Sequence, residues 1–193
     1  MSKRNTKFLW LILYGTWVAL VILLLGGCKT GQEVASPEQQ ARLQALVESR
    51  DFTFEADFAF PQTSSAYVSA ANPTLARAGG NSLSRISLQG EGYFLKLTGD
   101  SVESHLPYYG VRDNFSEPGR PDGIELDAPV EDFRATQRKS DTYQIRFYAR
   151  RKTERFQVNL DLFPGGKAHL LISSGQRDAI RFEGRALLPS EMK

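Results

Sequence analysis

Apolar residues recur at every second position along much of this chain, and that period leaves little room for anything but β-strands. Phe52, Phe54, Ala56, Phe58 and Phe60 share one parity and Thr53, Glu55 and Asp57 the other, as in a half-buried strand that Pro61 ends. Tyr93, Leu95 and Leu97 repeat the rule, as do Tyr143, Ile145 and Phe147, then Phe156, Val158, Leu160 and Leu162. Ala168, Leu170 and Ile172 follow, and Ile180, Phe182 and Gly184 close the series. Ile86 with Leu88 and Val102 with Leu106 predict further strands, and Ile124 to Leu126 and Asp132 to Arg138 weaker ones. The turn signals between them are Gly90-Glu91-Gly92, Gly99-Asp100, Arg150-Arg151-Lys152, Pro164-Gly165-Gly166 and Ser174-Gly175. Short strands joined by turns predict an antiparallel sandwich or an up-and-down barrel. Nothing resembles a βαβ unit.

One helix precedes the strands. Ser36 is placed to cap it, Pro37 suits its first position, and Gln39 completes a capping box. Leu43, Leu46 and Val47 give it a narrow apolar stripe, fit either to plug a barrel end or to pack on the surface. The expected layout is a short helix over 37–50 and a β-barrel domain over 51–188. Residues 62–82 and 110–123, rich in small and polar residues, Gly and Pro, read as long loops.

The first residues do not belong to the fold. Lys3, Arg4 and Lys7 start the chain, Phe8 to Leu25 is an uncharged apolar run, and Gly26-Gly27-Cys28 ends it. A positive start, an apolar middle and a small-residue end make a secretory signal over residues 1–27. The rival is a spanning helix, for which the run is just long enough. Leu25-Gly26-Gly27-Cys28 resembles the lipobox of bacterial lipoproteins. That resemblance implies cleavage between Gly27 and Cys28 and diacylglycerol on the Cys28 thiol. Cys28 is the one cysteine of the sequence, so no internal disulfide can form. Residues 28–36 then read as a lipidated tether. Loss of residues 1–27 removes three of the positive charges, so the net of +2 becomes about −1 on 166 residues, a usual size for one domain. No basic face interleaved with aromatics appears, and nucleic acid is not an expected partner.

Several motifs occur together and in order: Phe54-Glu55-Ala56-Asp57, Gly99-Asp100-Ser101-Val102-Glu103-Ser104, Leu106-Pro107-Tyr108-Tyr109-Gly110, and Arg177-Asp178-Ala179-Ile180 with Gly184. They resemble an uncharacterised lipoprotein family of the Bacteroidota, domain of unknown function 4251, over about Phe52 to Ala186. The family more often carries Phe where Tyr109 stands. The resemblance implies a lipocalin-like antiparallel β-barrel, placement in the periplasm or at the outer membrane, and no assigned activity.

Leu106, Pro107, Tyr108, Tyr109 and Gly110 are the candidate ligand-binding surface. Pro107 cannot donate to a ladder, so the strand should end or bulge there. Two adjacent tyrosines then project different ways, offering ring faces and hydroxyls. The bland alternative has Tyr108 plugging the barrel and Gly110 permitting the turn. His105 and His169 lack close metal-ligand spacing and share parity with outward residues, so no metal is expected. Ser173-Ser174-Gly175 is a turn without a nucleophile-elbow context, and Asp122 and Glu125 sit in or beside a polar loop. No catalytic residue and no cofactor are expected. Arg146, Arg150, Arg177 and Arg181 read as a solvated strand face. The functional expectation is a lipid-anchored binding or interaction module of the cell envelope. The membrane is its partner through Cys28, with an envelope protein, lipid or glycan as a second partner. A structural accessory of an outer-membrane assembly and an envelope hydrolase are the alternatives. Lys29 follows the cysteine where Asp is the usual inner-membrane retention signal, and only Glu33 is acidic before the helix, where surface-exposed lipoproteins of the Bacteroidota tend to carry acidic runs. Together these favour the periplasmic face of the outer membrane.

Overall fold

The computed structural model describes residues 35–61, 85–110, 123–138 and 141–192. The signal segment, Cys28, most of the tether and most of both expected long loops fall outside them. The helix α1 spans Pro37–Ser49. The strands are β1 (Asp51–Pro61), β2 (Ile86–Ser87), β3 (Phe94–Thr98), β4 (Ser101–Leu106), β5 (Ile124–Gln137), β6 (Tyr143–Arg151), β7 (Glu154–Leu162), β8 (Lys167–Ser174) and β9 (Arg177–Leu187). β3 to β9 pair in sequence order, and β1 pairs both with β3 and with β9. The result is a closed, eight-stranded antiparallel barrel. The short β2 adds to β1 above β3, through Phe58↔Ser87 and Ala59↔Ile86.

Closure removes the sheet edges and turns one parity of every strand inward. Phe52, Phe54, Leu95, Leu97, Ile145, Phe147, Phe156, Val158, Leu160, Leu170 and Phe182 are at most 1% exposed and belong to one contiguous apolar cluster. Ser104 takes an inward place by donating to the Ile124 carbonyl at 2.9 Å and accepting from the Leu126 amide at 3.1 Å. An eight-stranded barrel is just wide enough for side chains to fill, and here they fill it.

β1 departs from the simple alternation. Ala56 pairs with Gly184 but Phe58 already pairs with Glu183, so Asp57 is an extra residue in a bulge. The bulge reverses parity. Ala59 is fully buried, while Phe58 and Phe60, expected inward, face out beneath the guanidinium groups of Arg85 at 3.6 Å and Arg181 at 4.6 Å. β5 corrects a second expectation. The two weak segments are one 14-residue strand, whose period is hidden by a bulge between Glu131 and Arg134 with Asp132 at φ 53°.

The helix acts as a plug. Ser36 and Gln39 form the capping box, with Ser36 N donating to Gln39 Oε1 at 2.9 Å and Gln39 N to Ser36 Oγ at 3.2 Å. Leu43, Leu46 and Val47 join the barrel's own core cluster, and Leu46 is fully buried. The plug covers the end where β1 begins and β9 finishes. Arg42 ties it there, donating to the Ala186 carbonyl at 2.9 Å and to Glu191 of a C-terminal turn at 2.6 Å.

Two outcomes follow from these contacts. A Cβ on Gly184 would lie 1.9 Å from the Glu55 carbonyl oxygen. Backbone atoms cannot step aside as a side chain can, so Gly184→Ala should cost about 3 kcal/mol, the upper range for overpacking. Thermal melting should show it as a drop of roughly 6–12 °C. The hydrogen bond from Arg42 is the chief reason that the Glu191 carboxyl is held below its ordinary value of 4.5. A carboxyl with a lowered folded pKa stabilises above its unfolded value and ceases to as pH falls through the folded one. The melting-temperature difference between wild type and Glu191→Gln should be present near neutrality and vanish in acid below pH 4.5.

Candidate functional site

The end of the barrel opposite α1 is closed by polar chemistry. Glu154 continues the inward parity of Phe156 and Val158, and Ser174 that of Leu170 and Ile172. An irregularity between Ile172 and Ser174 sets Arg177 directly opposite Ser174. The three side chains therefore meet. Arg177 holds Glu154 with both arms, Nε to Oε1 at 2.6 Å and Nη2 to Oε2 at 2.8 Å. Ser174 Oγ donates to the same carboxylate at 2.7 Å. The Arg177 and Glu154 side chains are 8% and 13% exposed, so this is a buried ion pair.

The candidate motif sits on that pair. Leu106 is the last inward residue of β4 and is 1% exposed. Pro107 ends the strand, as its missing N–H requires. The Tyr108 ring lies 5.1 Å from the Arg177 guanidinium, with Phe156 at 5.2 Å. The Tyr108 hydroxyl donates to the Asp178 carbonyl at 3.1 Å. A Cβ on Gly110 would stand 2.5 Å from that hydroxyl, so a larger residue there would have to shift the Tyr108 ring. Leu106-Pro107-Tyr108-Tyr109-Gly110 and Arg177-Asp178-Ala179-Ile180 are thus two halves of one contact. Tyr109 is turned to different neighbours. Its phenol is pushed up mainly by burial and further by the nearby Tyr93 and Glu91, which lie on the chain between β2 and β3.

Arg177 is the residue that the sequence misplaced. It is not part of a solvated strand face. Arg146 donates to Asn159 at 2.9 Å, Arg150 lies 3.7 Å from Glu131, and Arg181 covers Phe60 on the outer wall. Glu154, the partner of Arg177, carries one sequence signal, its parity with Phe156, which marks it as inward.

The two histidines sit on the outer wall. His105 Nδ1 lies 2.7 Å from Glu125 Oε1, and its ring stacks on Tyr93 at 5.4 Å. His169 approaches Glu183 at 3.9 Å and meets the edge of Phe163. Among the described residues no three His, Cys, Asp or Glu side chains gather to hold a metal ion. Ser174 donates to a carboxylate and has no histidine beside it in the described contacts, so it is not set up as a nucleophile.

Glu154→Gln should leave the buried Arg177 charge uncompensated and destabilise the fold by about 3 kcal/mol. The double variant Glu154→Leu with Arg177→Met should recover most of that loss in chemical denaturation, because a buried pair is often replaceable by apolar groups.

A family model described as a domain of unknown function, DUF4251, matches residues 35–186. The crystal structure of a DUF4251 family protein from Bacteroides eggerthii is similar, with a TM-score of 0.56 and 13% identity over 80% of this chain and 91% of that one. At that identity the likeness speaks for the fold. No curated protein matches. With its matched region running from the start of the helix through nearly all of β9, the chain belongs to the DUF4251 family.

Proposed function

We propose that this protein is a cell-envelope lipoprotein whose barrel is an interaction module that works from its rim and outer wall. The observation that carries the reading is the filled interior. Five phenylalanines, Phe52, Phe54, Phe147, Phe156 and Phe182, occupy the space where a carrier of the same architecture would hold its ligand. Contact therefore falls to surfaces outside the core. The rim opposite α1 is the first of these, since Leu106-Pro107-Tyr108-Tyr109-Gly110 leads there and Tyr109 is only half-buried.

Acyl chains on Cys28 supply the anchor, after cleavage between Gly27 and Cys28. Two or more chains hold a protein stably, at about 0.8 kcal/mol per buried CH₂. The tether of residues 28–36 keeps the barrel close to the bilayer, on the periplasmic side of the outer membrane. Its partner is an envelope protein, lipid or glycan.

Cells fed an alkyne-tagged palmitate should label the wild-type chain and not Cys28→Ser, and the variant should leave the membrane fraction. Label or membrane retention in Cys28→Ser overturns the anchor. A photo-crosslinking residue at Tyr109 should trap an envelope component in intact cells. Failure there, with the anchor labelled, removes that rim as the contact surface.

A further inference from the structure

A cleft of about 390 Å³ interrupts the barrel wall beside the β1 bulge. It exists because the strand neighbouring β1 is broken. β1 pairs with β3 as far as Glu55↔Phe94 and with β2 from Phe58↔Ser87. Between them the chain leaves the sheet, stitched back by Leu88 N to the Asp57 carbonyl at 2.8 Å and Ala56 N to the Tyr93 carbonyl at 3.0 Å. Gly90 and Gly92 turn it at φ 83° and 72°, and a Cβ on either would meet nothing within 4 Å. The bulge and the broken strand leave a notch in the wall.

The groups around that notch are of mixed sign and incompletely paired. Arg185 reaches over from β9, with Nη2 3.6 Å from Glu55 and Nε 3.9 Å from Asp57. Both distances exceed a hydrogen bond, so neither carboxylate saturates the guanidinium. Thr53 also lines the cleft. It is 7% exposed, and its Oγ1 is buried with no partner. Tyr93 and Phe94 complete the lining with aromatic surface.

We infer that this cleft binds a neutral, hydroxyl-rich ligand of the saccharide class. A cation would meet Arg185 between the two acids. An anion would meet Glu55 and Asp57 on either side of Arg185. A purely apolar ligand would strip water from three charges and offer them nothing. A hydroxyl donates to the carboxylates and accepts from the guanidinium. The weakly polar CH face of a sugar ring packs on Tyr93 and Phe94. The volume lies within the usual range for a small-molecule site, roughly 300–1,000 Å³. The inference rests on the barrel as an outer-wall module and not on the anchor, so a failed titration leaves the Cys28 labelling result untouched.

The test is calorimetric titration of the full chain in micelles of a detergent without a sugar headgroup. The probes are maltose, lactose and di-N-acetylchitobiose, with glucosamine and glucuronate as charged counterparts. At least one neutral disaccharide should bind saturably, with Kd on the order of 1 mM or tighter. Arg185→Gln and Glu55→Gln should each weaken it about tenfold, a difference of roughly 1.4 kcal/mol. Asp57→Asn, on the other side of Arg185, should weaken binding several-fold. Glu103→Gln, on the neighbouring wall, should change nothing. Saturable binding of glucosamine alone or glucuronate alone overturns the ligand class. No saturable binding by any disaccharide, or binding indifferent to both Arg185→Gln and Glu55→Gln, overturns the site.

Discussion

Where β9 meets β1 to close the barrel, the Gly184 backbone passes so near the Glu55 carbonyl that a Cβ would stand 1.9 Å from its oxygen. Much else hangs on that crossing. It coincides with the Asp57 bulge, the usual device for bending a strand at a barrel corner. The bend carries β1 from its pairing with β3 to its pairing with β2, and it opens the wall between them. It also moves Phe58 and Phe60 outside, where Arg85 and Arg181 lie across their rings. Those stacks offset the exposure of aromatic surface that the bend creates, each worth roughly 0.5–1 kcal/mol at such sites.

The two ends of the barrel are closed by opposite means. At one end α1 adds Leu43, Leu46 and Val47 to the common core, and the closure is apolar. At the other, Glu154, Ser174 and Arg177 form a buried polar layer under the Tyr108 ring. A buried ion pair of this kind adds little net stability, since desolvation opposes the Coulomb attraction. Its contribution is to geometry. The bidentate grip fixes where β7 and β9 begin, and Tyr108 can reach the Asp178 carbonyl only if β9 starts there. That ties the strand exit after β4 to a residue 70 positions away.

Much of the fold was legible because the inward rows obey a period of two without interruption from β6 through β8. Tyr143, Phe156 and Ala168 begin rows that the barrel uses unchanged. What escaped was everything that depends on an inserted residue. Nothing in Phe54-Glu55-Ala56-Asp57-Phe58 announces that Asp57 is surplus, because the bulge is imposed by closure against β9 rather than by local preference. Asp132 hid the length of β5 in the same way. An arginine on an alternating strand usually faces outward, which is why sequence alone puts Arg177 on the wrong side. Its burial depends on Glu154, and that partner lies across the β7–β8–β9 ladder, beyond what spacing along one segment can reveal. Parity with Phe156 did mark Glu154 as inward, and an inward acid needs a cation.

The filled interior and the position of α1 together constrain where a partner can meet the barrel. The chain enters at Ala35 and Ser36, directly before α1, so the proposed tether joins the barrel at the plugged end. The Tyr108–Tyr109 rim lies at the opposite end, and the cleft opens in the wall beside β1. Neither needs the core to open. A partner that binds there would change the barrel's exterior contacts and leave its apolar cluster intact, so recognition need cost little of the stability that closure provides.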